Sequence, residues 1–268
     1  MKSHICTTCG VAYAPSDNPP DHCIICADER QYVNSAGQSW TTQEELQKTH
    51  KNDLREQEPG LTGIGTAPGV AIGQRGLWIE DPRGGVLWDT TPLVSDEAVA
   101  AIKAKGGLRA IAISHPHFYS NMTAWSRKLG DVPIYLHADD REHVMDPSPN
   151  IEFWTGETKD LGGGVTLIRC GGHFTGSAAL HWAGGAGGKG ALFTSDTVMV
   201  VPDPRWMSFM RSYPNAIPLN AATVRSITGK LEPFAFDRMY GGWWDRVCVS
   251  DAKERMRISA ERYIAAIS

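Results

Sequence analysis

Several features that mark other classes of protein are missing from this chain of 268 residues. Its first residues contain no apolar stretch like the core of a signal peptide, and no run of about 18 apolar residues indicates a membrane span. Lysine and arginine are scattered, and the formal net charge is −4, which gives no basic surface for nucleic acid or for an anionic membrane. We therefore expect a cytoplasmic protein that acts on a small-molecule substrate, with no nucleic-acid or membrane partner.

Four of the six cysteines lie within the first 26 residues. Two residues separate Cys6 from Cys9 and Cys23 from Cys26, and 13 residues separate the two pairs. In the cytoplasm such pairs bind metal more often than they form disulfides. Each pair can point two sulfurs at one ion from a tight turn, so the two pairs predict a tetrahedral four-thiolate site. Because such a site has no open position, we interpret it as structural, with zinc as the preferred metal.

The segments CTTCGVAY and HCIIC resemble a small zinc ribbon, and they are also similar to a rubredoxin knuckle, so iron stays open as the minority alternative. His4 or His22 could replace one thiolate, although four cysteines suffice. Free or disulfide-linked thiols are the remaining alternative for this segment. The two other cysteines, Cys170 and Cys248, are expected to be buried as small apolar residues.

The segment TTQEELQKTHKNDLREQEPG follows the cysteines. Thr41 with Glu44 and Thr42 with Glu45 both fit a capping box, and the composition favours a helix until Pro59-Gly60. We predict a polar helix over residues 41–57. The expected organisation is a zinc ribbon over 1–40, a connecting helix segment over 41–60 and a main domain over 61–268. The ribbon and the helix could also mediate a homo-oligomer.

From residue 61 onward, short apolar runs alternate with glycine and proline. VAIGQRGLWIED and GGVLWDTT predict two strands joined by a turn at 82–85, SDEAVAAIKAKGG a helix capped by Ser95, and LRAIAIS a buried strand. Residues 157–201 are typical of β-structure with a glycine-rich turn at 184–190, and residues 251–267 predict an amphipathic helix. This alternation predicts a layered α/β protein with helices outside two packed sheets.

Side chains that can bind metal follow three of the apolar runs: His115 and His117, then His173, then Asp196. On extended backbone, residues two apart point to the same side, which would bring the first two imidazoles together. A third histidine and a carboxylate from other strands would complete a site for zinc, or for iron held by histidines and a carboxylate.

These motifs resemble those of the metallo-β-lactamase-fold hydrolase superfamily, from about residue 61 to the end of the chain. SHPHFYSN corresponds to the family's H-x-H-x-D-H motif, GGHFTGSAALH to its next histidine loop, FTSDTV to its metal-bridging aspartate, and GVLWDTT to an early strand and turn with Asp89. The resemblance implies an αββα sandwich. It also implies that His115, His117 and His173 bind the first metal, with Asp196 nearby or bridging.

The positions that would supply a second metal depart from the family pattern. Tyr119 and Ser120 stand where the family has an aspartate and a histidine, and the late segment YGGWWDRV has Trp243 and Trp244 where another histidine is expected. A phenol with a pKa near 10 is a poor ligand at neutral pH. We therefore expect a single metal, with Asp196 binding it or orienting water, and with Tyr119 donating a hydrogen bond to a developing oxyanion.

The leading hypothesis is a metal-dependent hydrolase, with one catalytic zinc, that cleaves an ester, thioester, amide or lactone-type bond of a small, partly apolar substrate. A mononuclear iron oxygenase on the same fold is the first alternative, because the resemblance includes iron enzymes. A non-catalytic binding or regulatory protein on a degraded hydrolase scaffold is the second, because the second-metal ligands are missing.

Overall fold

The computed structural model describes residues 1–268. The chain divides into two compact units, one of residues 1–136 and 141–153 and one of residues 137–140 and 154–268. The elements of the first sheet and the segment before it are, in chain order, β1 (Ile5–Cys6), α1 (Ile24–Ala27), β2 (Trp40–Thr41), α2 (Gln43–Thr49), β3 (Lys51–Glu58), β4 (Leu61–Ala67), β5 (Gly76–Ile79), β6 (Gly85–Trp88), α3 (Asp96–Ala104), β7 (Leu108–Ala112), α4 (Met122–Lys128), β8 (Ile134–His137) and β9 (Ile151–Trp154).

The cysteine-rich segment is built on very little regular structure. Strand β1 pairs antiparallel with β2, and α1 is a single turn. Ile5 and Ala12 of this segment are buried in one cluster with Leu46 and Leu93. Its apolar side chains therefore pack with residues far along the chain, as expected for a segment too short to enclose a core of its own.

The predicted helix over 41–57 is wrong beyond its first two turns. Helix α2 covers Gln43–Thr49, and the Thr42 hydroxyl accepts a hydrogen bond from the Glu45 amide, which is the predicted cap. Residues 51–58 instead form β3, paired antiparallel with β4, and Pro59-Gly60 is the hairpin turn between them. Pairing with β4 satisfies the backbone of these polar residues, and tertiary pairing of this kind overrides a weak helix propensity.

Strands β3 to β9 form one seven-stranded sheet in chain order. The pairs from β3 to β6 are antiparallel, whereas β6, β7 and β8 run parallel, with α3 and α4 in the two crossovers. The carboxyl ends of β6 and β7 therefore meet at the same edge of the sheet, where ligand sites form in sheets of this type. Helix α3 begins after Ser95, whose hydroxyl accepts the Ala98 amide, as predicted.

The elements of the second unit are, in chain order, β10 (Thr158–Gly162), β11 (Val165–Arg169), β12 (Ala178–Trp182), α5 (Gly185–Gly188), β13 (Ala191–Phe193), β14 (Met199–Val200), β15 (Met207–Ser208), β16 (Met210–Ser212), β17 (Ile217–Pro218), α6 (Ala221–Leu231), β18 (Arg238–Tyr240), β19 (Val247–Cys248) and α7 (Ala252–Ile267). This unit contains a six-stranded sheet in the order β10-β11-β12-β13-β18-β19, antiparallel except for the β13–β18 pair. The predicted glycine-rich turn joins β12 to β13, and the predicted C-terminal helix is present as α7. No helix in the structure is both long enough and apolar enough to cross a membrane.

A buried cluster packs the six-stranded sheet against helices α6 and α7. Leu192 and Met239 come from the sheet, Val224 and Ile227 from α6, and Met256 from α7. Cys170 and Cys248 belong to the same cluster, and burial raises the pKa of the Cys170 thiol to about 12. Both cysteines are therefore core residues, as the sequence indicated. A thiol with a pKa as high as that of Cys170 is a poor nucleophile.

Candidate metal centres

The first candidate centre is the cluster of four cysteines, whose side chains are all buried. The sulfur of Cys6 lies 3.6 Å from that of Cys26, and the sulfur of Cys9 lies 3.7 Å from that of Cys23. A tetrahedron of thiolates at about 2.3 Å from an ion has edges of about 3.8 Å. All four cysteines are unpaired thiols, so the spacing fits one shared ion and not a disulfide.

Two polar side chains donate hydrogen bonds to this cluster. The Tyr13 hydroxyl lies 3.4 Å from the sulfur of Cys23, and the Gln38 amide nitrogen lies 3.3 Å from the sulfur of Cys6. Donors at these positions stabilise the negative charge that four thiolates place around a divalent ion. Neither His4 nor His22 belongs to the cluster: His4 contacts the Ser16 carbonyl at 3.3 Å, and His22 is exposed. The donor set fits zinc or iron.

The second candidate centre contains the four side chains singled out in the sequence. One ligand atom from each of them lies within 4.8 Å of the others, and all four side chains are buried. The members are His115, His117, His173 and Asp196. Three imidazoles and a carboxylate are the ligand types that zinc and ferrous iron take in catalytic sites.

His115 and His117 come close by a different route from the one expected. Strand β7 ends at Ala112, and Pro116–Phe118 form a 3-10 turn, so the two histidines do not share one extended strand. His115 is extended, with φ −172° and ψ 172°, and the turn then brings the second ring to 5.1 Å between centroids, at 71°. Pro116 favours this turn because it is the first residue of the turn, where a backbone amide would have no partner within the turn.

A chain of hydrogen bonds orients the His115 ring. The Ser114 hydroxyl lies 2.9 Å from Nδ1 of His115, and the Ser114 amide donates to Oδ1 of Asp89 at 2.8 Å. Asp89, which follows β6, is buried and has a positive φ of 60°. It thus ties the ends of two parallel strands together. With Nδ1 engaged in this way, Nε2 is the nitrogen that can bind metal.

His173 lies in the loop after β11, and a backbone carbonyl fixes its tautomer. Its Nδ1 is 3.1 Å from the carbonyl oxygen of Met210, which can only accept a hydrogen bond, so Nδ1 carries the proton. The other nitrogen, Nε2, then has the lone pair, and it lies 3.8 Å from Oδ2 of Asp196. Ligands at about 2.1 Å from a tetrahedral ion are about 3.4 Å apart, so this pair is close to the spacing that a shared metal requires.

Tyr213 supports the loop that carries Asp196. Its hydroxyl lies 3.2 Å from the carbonyl oxygen of Asp196 and 3.1 Å from that of Ser208. Burial is the main cause, and the nearby carboxylate of Asp196 the second cause, of a Tyr213 pKa well above its usual value. The phenol therefore keeps its proton and remains a hydrogen-bond donor. No motif in the sequence points to this residue, because Tyr213 lies in a short irregular segment.

Tyr119 and Ser120, which stand where the resemblance implied an aspartate and a histidine, are both buried. The Ser120 hydroxyl lies 3.0 Å from the amide nitrogen of Gln74, and the Tyr119 carbonyl accepts the Met122 amide at 3.0 Å. Two further histidines are engaged by backbone carbonyls: Nε2 of His137 donates to that of Gly156 at 3.2 Å, and Nε2 of His181 donates to that of Ala235 at 2.7 Å.

No protein-family model matches the chain. Among solved structures, DIM-1 metallo-β-lactamase superimposes with a TM-score of 0.60, at 16% identity, over 81% of this chain and 98% of its own. FIM-1 metallo-β-lactamase from Pseudomonas aeruginosa, in its mono-zinc form, gives 0.58 at 15% identity, over 81% and 97%. A Cronobacter sakazakii metallo-β-lactamase with a HARLDQ motif gives 0.52 at 15% identity, over 80% and 92%. The predicted metallo-β-lactamase fold is confirmed.

A much nearer relative is known from sequence. The uncharacterized protein YmaE of Bacillus subtilis (strain 168) is 44% identical over a 270-residue alignment that covers 100% of this chain and 98% of YmaE. The alignment thus includes the cysteine-rich segment together with the part that has the metallo-β-lactamase fold. The chain belongs to the same family as YmaE, a family with the metallo-β-lactamase fold.

Proposed function

We propose that this protein is a metal-dependent hydrolase with one catalytic metal, zinc, held by His115, His117 and His173. Asp196 completes the site as a fourth ligand or as the group that orients water. The observation that carries the proposal is the convergence of these four buried side chains, with ligand atoms within 4.8 Å of one another. The fold supports the same interpretation, and FIM-1, a neighbour of the same fold, has a mono-zinc form.

The chain's own residues prepare the site in three ways. Ser114 and the Met210 carbonyl engage Nδ1 of His115 and of His173, which leaves Nε2 of each ring for the metal. Tyr213 holds the backbone at Asp196. Such fixed ligands need little reorganisation when a metal or a substrate arrives.

A divalent metal in this site supplies Lewis-acid chemistry, since it polarises a carbonyl and lowers the pKa of water. We assign to the Asp196 carboxylate the role of accepting a proton from the attacking water. Tyr119, which directly follows the 3-10 turn of the histidines, is proposed to donate a hydrogen bond to the oxygen that gains negative charge. The expected reaction is hydrolysis of an ester, thioester, amide or lactone-type bond.

Aromatic side chains next to the histidines favour a partly apolar substrate. The Phe118 ring lies 5.2 Å from that of His115, and the Phe174 ring lies 5.3 Å from that of His173. Iron is the alternative metal at this site, because imidazole and carboxylate ligands also suit ferrous iron. An iron centre would make the protein a mononuclear oxygenase.

Metal analysis of the purified protein tests the proposal. We expect two zinc ions per chain, one of which is lost when His115 and His117 are both replaced by alanine. The matched control is His22→Ala, an exposed histidine outside both centres, which should keep both ions. A wild-type protein with one zinc and one iron would contradict the hydrolase proposal and support the oxygenase. A wild-type protein with a single zinc, still present after the double substitution, would contradict both enzyme proposals and support a binding protein.

Activity measurements then separate the roles of the two proposed catalytic side chains. A panel of chromogenic esters, thioesters, amides and lactones is tested with the wild type, Asp196→Asn and Tyr119→Phe. We expect both variants to reduce kcat by about 100-fold or more, since each loses a group that acts in the transition state. A metal-loaded wild type that hydrolyses none of these classes would refute the assigned reaction.

Several further expectations remain proposals. The first is the domain organisation: a zinc ribbon over 1–40, a connecting segment over 41–60 and a catalytic domain over 61–268. A structural zinc in the four-cysteine site, a cytoplasmic location and a homo-oligomer built through the ribbon are the others.

A further inference from the structure

The cysteine-rich segment is bonded directly to the loop that carries His115 and His117. The Ala12 amide, between the two cysteine pairs, donates to the Ser120 carbonyl at 2.7 Å. Ser120 lies three residues after His117, at the end of the same short turn. Both partners are buried, so water does not compete for this bond while the two segments are packed together.

Gln74 makes a second connection between the same two segments. Its amide nitrogen donates to the carbonyl oxygen of Cys9 at 2.9 Å and to the hydroxyl of Ser120 at 3.0 Å. The residue is only 2% exposed. Because the sulfur of Cys9 belongs to the four-cysteine cluster, a metal bound there would restrain the position of its carbonyl.

Close packing at Gly10 makes the connection stiff. This residue follows Cys9, has a φ of +84° and lies against Pro92 and Gln74. A Cβ atom at Gly10 would lie 2.5 Å from the side chain of Pro92 and 3.0 Å from that of Gln74. The turn of the first cysteine pair therefore fits against its neighbours with no room to shift.

The conformation of Ser120 shows that the loop is held by its partners. Its φ is +35°, in the left-handed region that residues other than glycine rarely adopt. Such a conformation persists only where surrounding contacts impose it. Here the contacts are the Ala12 amide and the Gln74 side chain.

We propose that the four-cysteine centre holds the histidine-bearing loop in its metal-binding conformation, with Gln74 as the positioning residue between them. Loss of the cysteine-bound metal loosens residues 114–121 and weakens metal binding at the histidines. By linkage, a metal at the histidines stabilises the metal at the cysteines to the same extent. The part that concerns metal at the histidines rests on the proposed function, whereas the ordering of the loop does not.

The test compares Gln74→Ala and Ser120→Ala with the control Gln47→Ala. Gln47 is an exposed glutamine whose amide contacts one carbonyl at 3.4 Å. Both test variants keep every candidate ligand of both centres. Two quantities are measured: hydrogen–deuterium exchange of residues 114–121, and the affinity of each centre for cobalt(II), whose absorption spectrum distinguishes thiolate ligands from nitrogen and oxygen ligands.

We expect faster exchange over 114–121 and at least 10-fold weaker cobalt binding at the histidines in both test variants. Binding at the cysteines, measured before the histidines are loaded with metal, should stay within the range of Gln47→Ala, which a general loss of structure would not allow. Removing metal from the wild-type cysteines with a mercurial reagent should speed the same exchange. Exchange over 114–121 that is unchanged in both variants and after metal removal overturns the proposal. Faster exchange without cobalt binding at the histidines supports the ordering of the loop and refutes the proposed function instead.

Discussion

Asn52 provides a sharp test, because the predicted helix and the observed strand require opposite effects from one substitution. Its side-chain amide donates to the carbonyls of Gly65 and Leu93, both at 3.1 Å. Its Oδ1 accepts the amide of Ser95, the cap residue of α3, at 2.7 Å. The residue is 9% exposed, so these partners have little access to water.

Replacing Asn52 by alanine removes these three buried hydrogen bonds and takes away the side-chain acceptor of the Ser95 amide. At about 1 kcal/mol for each bond, we expect a loss of about 3 kcal/mol in the free energy of unfolding. On an exposed polar helix the same change would instead stabilise the protein by a few tenths of a kcal/mol, since alanine is the better helix former.

The assay is urea unfolding of the metal-loaded protein, followed by far-UV circular dichroism. A loss of this size lowers the urea midpoint by about 1 M or more. The control Glu56→Ala changes an exposed residue of the same strand and should alter the free energy by less than about 0.5 kcal/mol. An Asn52→Ala midpoint equal to or above that of the wild type would refute the role assigned to this side chain.

Three other outcomes are expected. Replacing Ser114 by alanine removes the partner of the His115 ring and should weaken zinc binding at the histidines by about 10-fold or more in a chelator competition; an unchanged affinity contradicts the ring-orienting role. Cys170 should stay unmodified by a thiol reagent in the native protein at pH 8, since a pKa of about 12 leaves about one thiolate in ten thousand; rapid modification in the mass spectrum would show that it is accessible. Gly190→Ala should lower the free energy of unfolding by at least about 2 kcal/mol, because the φ of Gly190 is +87° and a Cβ would lie 2.0 Å from the Ala235 carbonyl oxygen. Its control, Gly229→Ala on helix α6, should raise that free energy by up to about 1 kcal/mol, because a Cβ there meets nothing and alanine is the better helix former.

The sequence alone determined the features that depend on residue type and local spacing. The two cysteine pairs predicted one cluster, because a separation of two residues limits where the sulfurs can point. The order of His115, His117, His173 and Asp196 predicted both the fold and the candidate ligands. Strong local signals, such as the cap at Ser95 and the cap at Thr42, were also correct.

Only the tertiary structure decided the features that depend on partners distant in the chain. Residues 51–58 form a strand because β4 lies beside them, and their polar composition gives no sign of it. The His115–His117 pair is arranged by a 3-10 turn and by Asp89 at the end of a neighbouring strand. The roles of Met210, Tyr213 and Gln74 come from a backbone carbonyl, a buried phenol and a bridging amide. No local pattern encodes such contacts, since each of them exists only after the chain has folded.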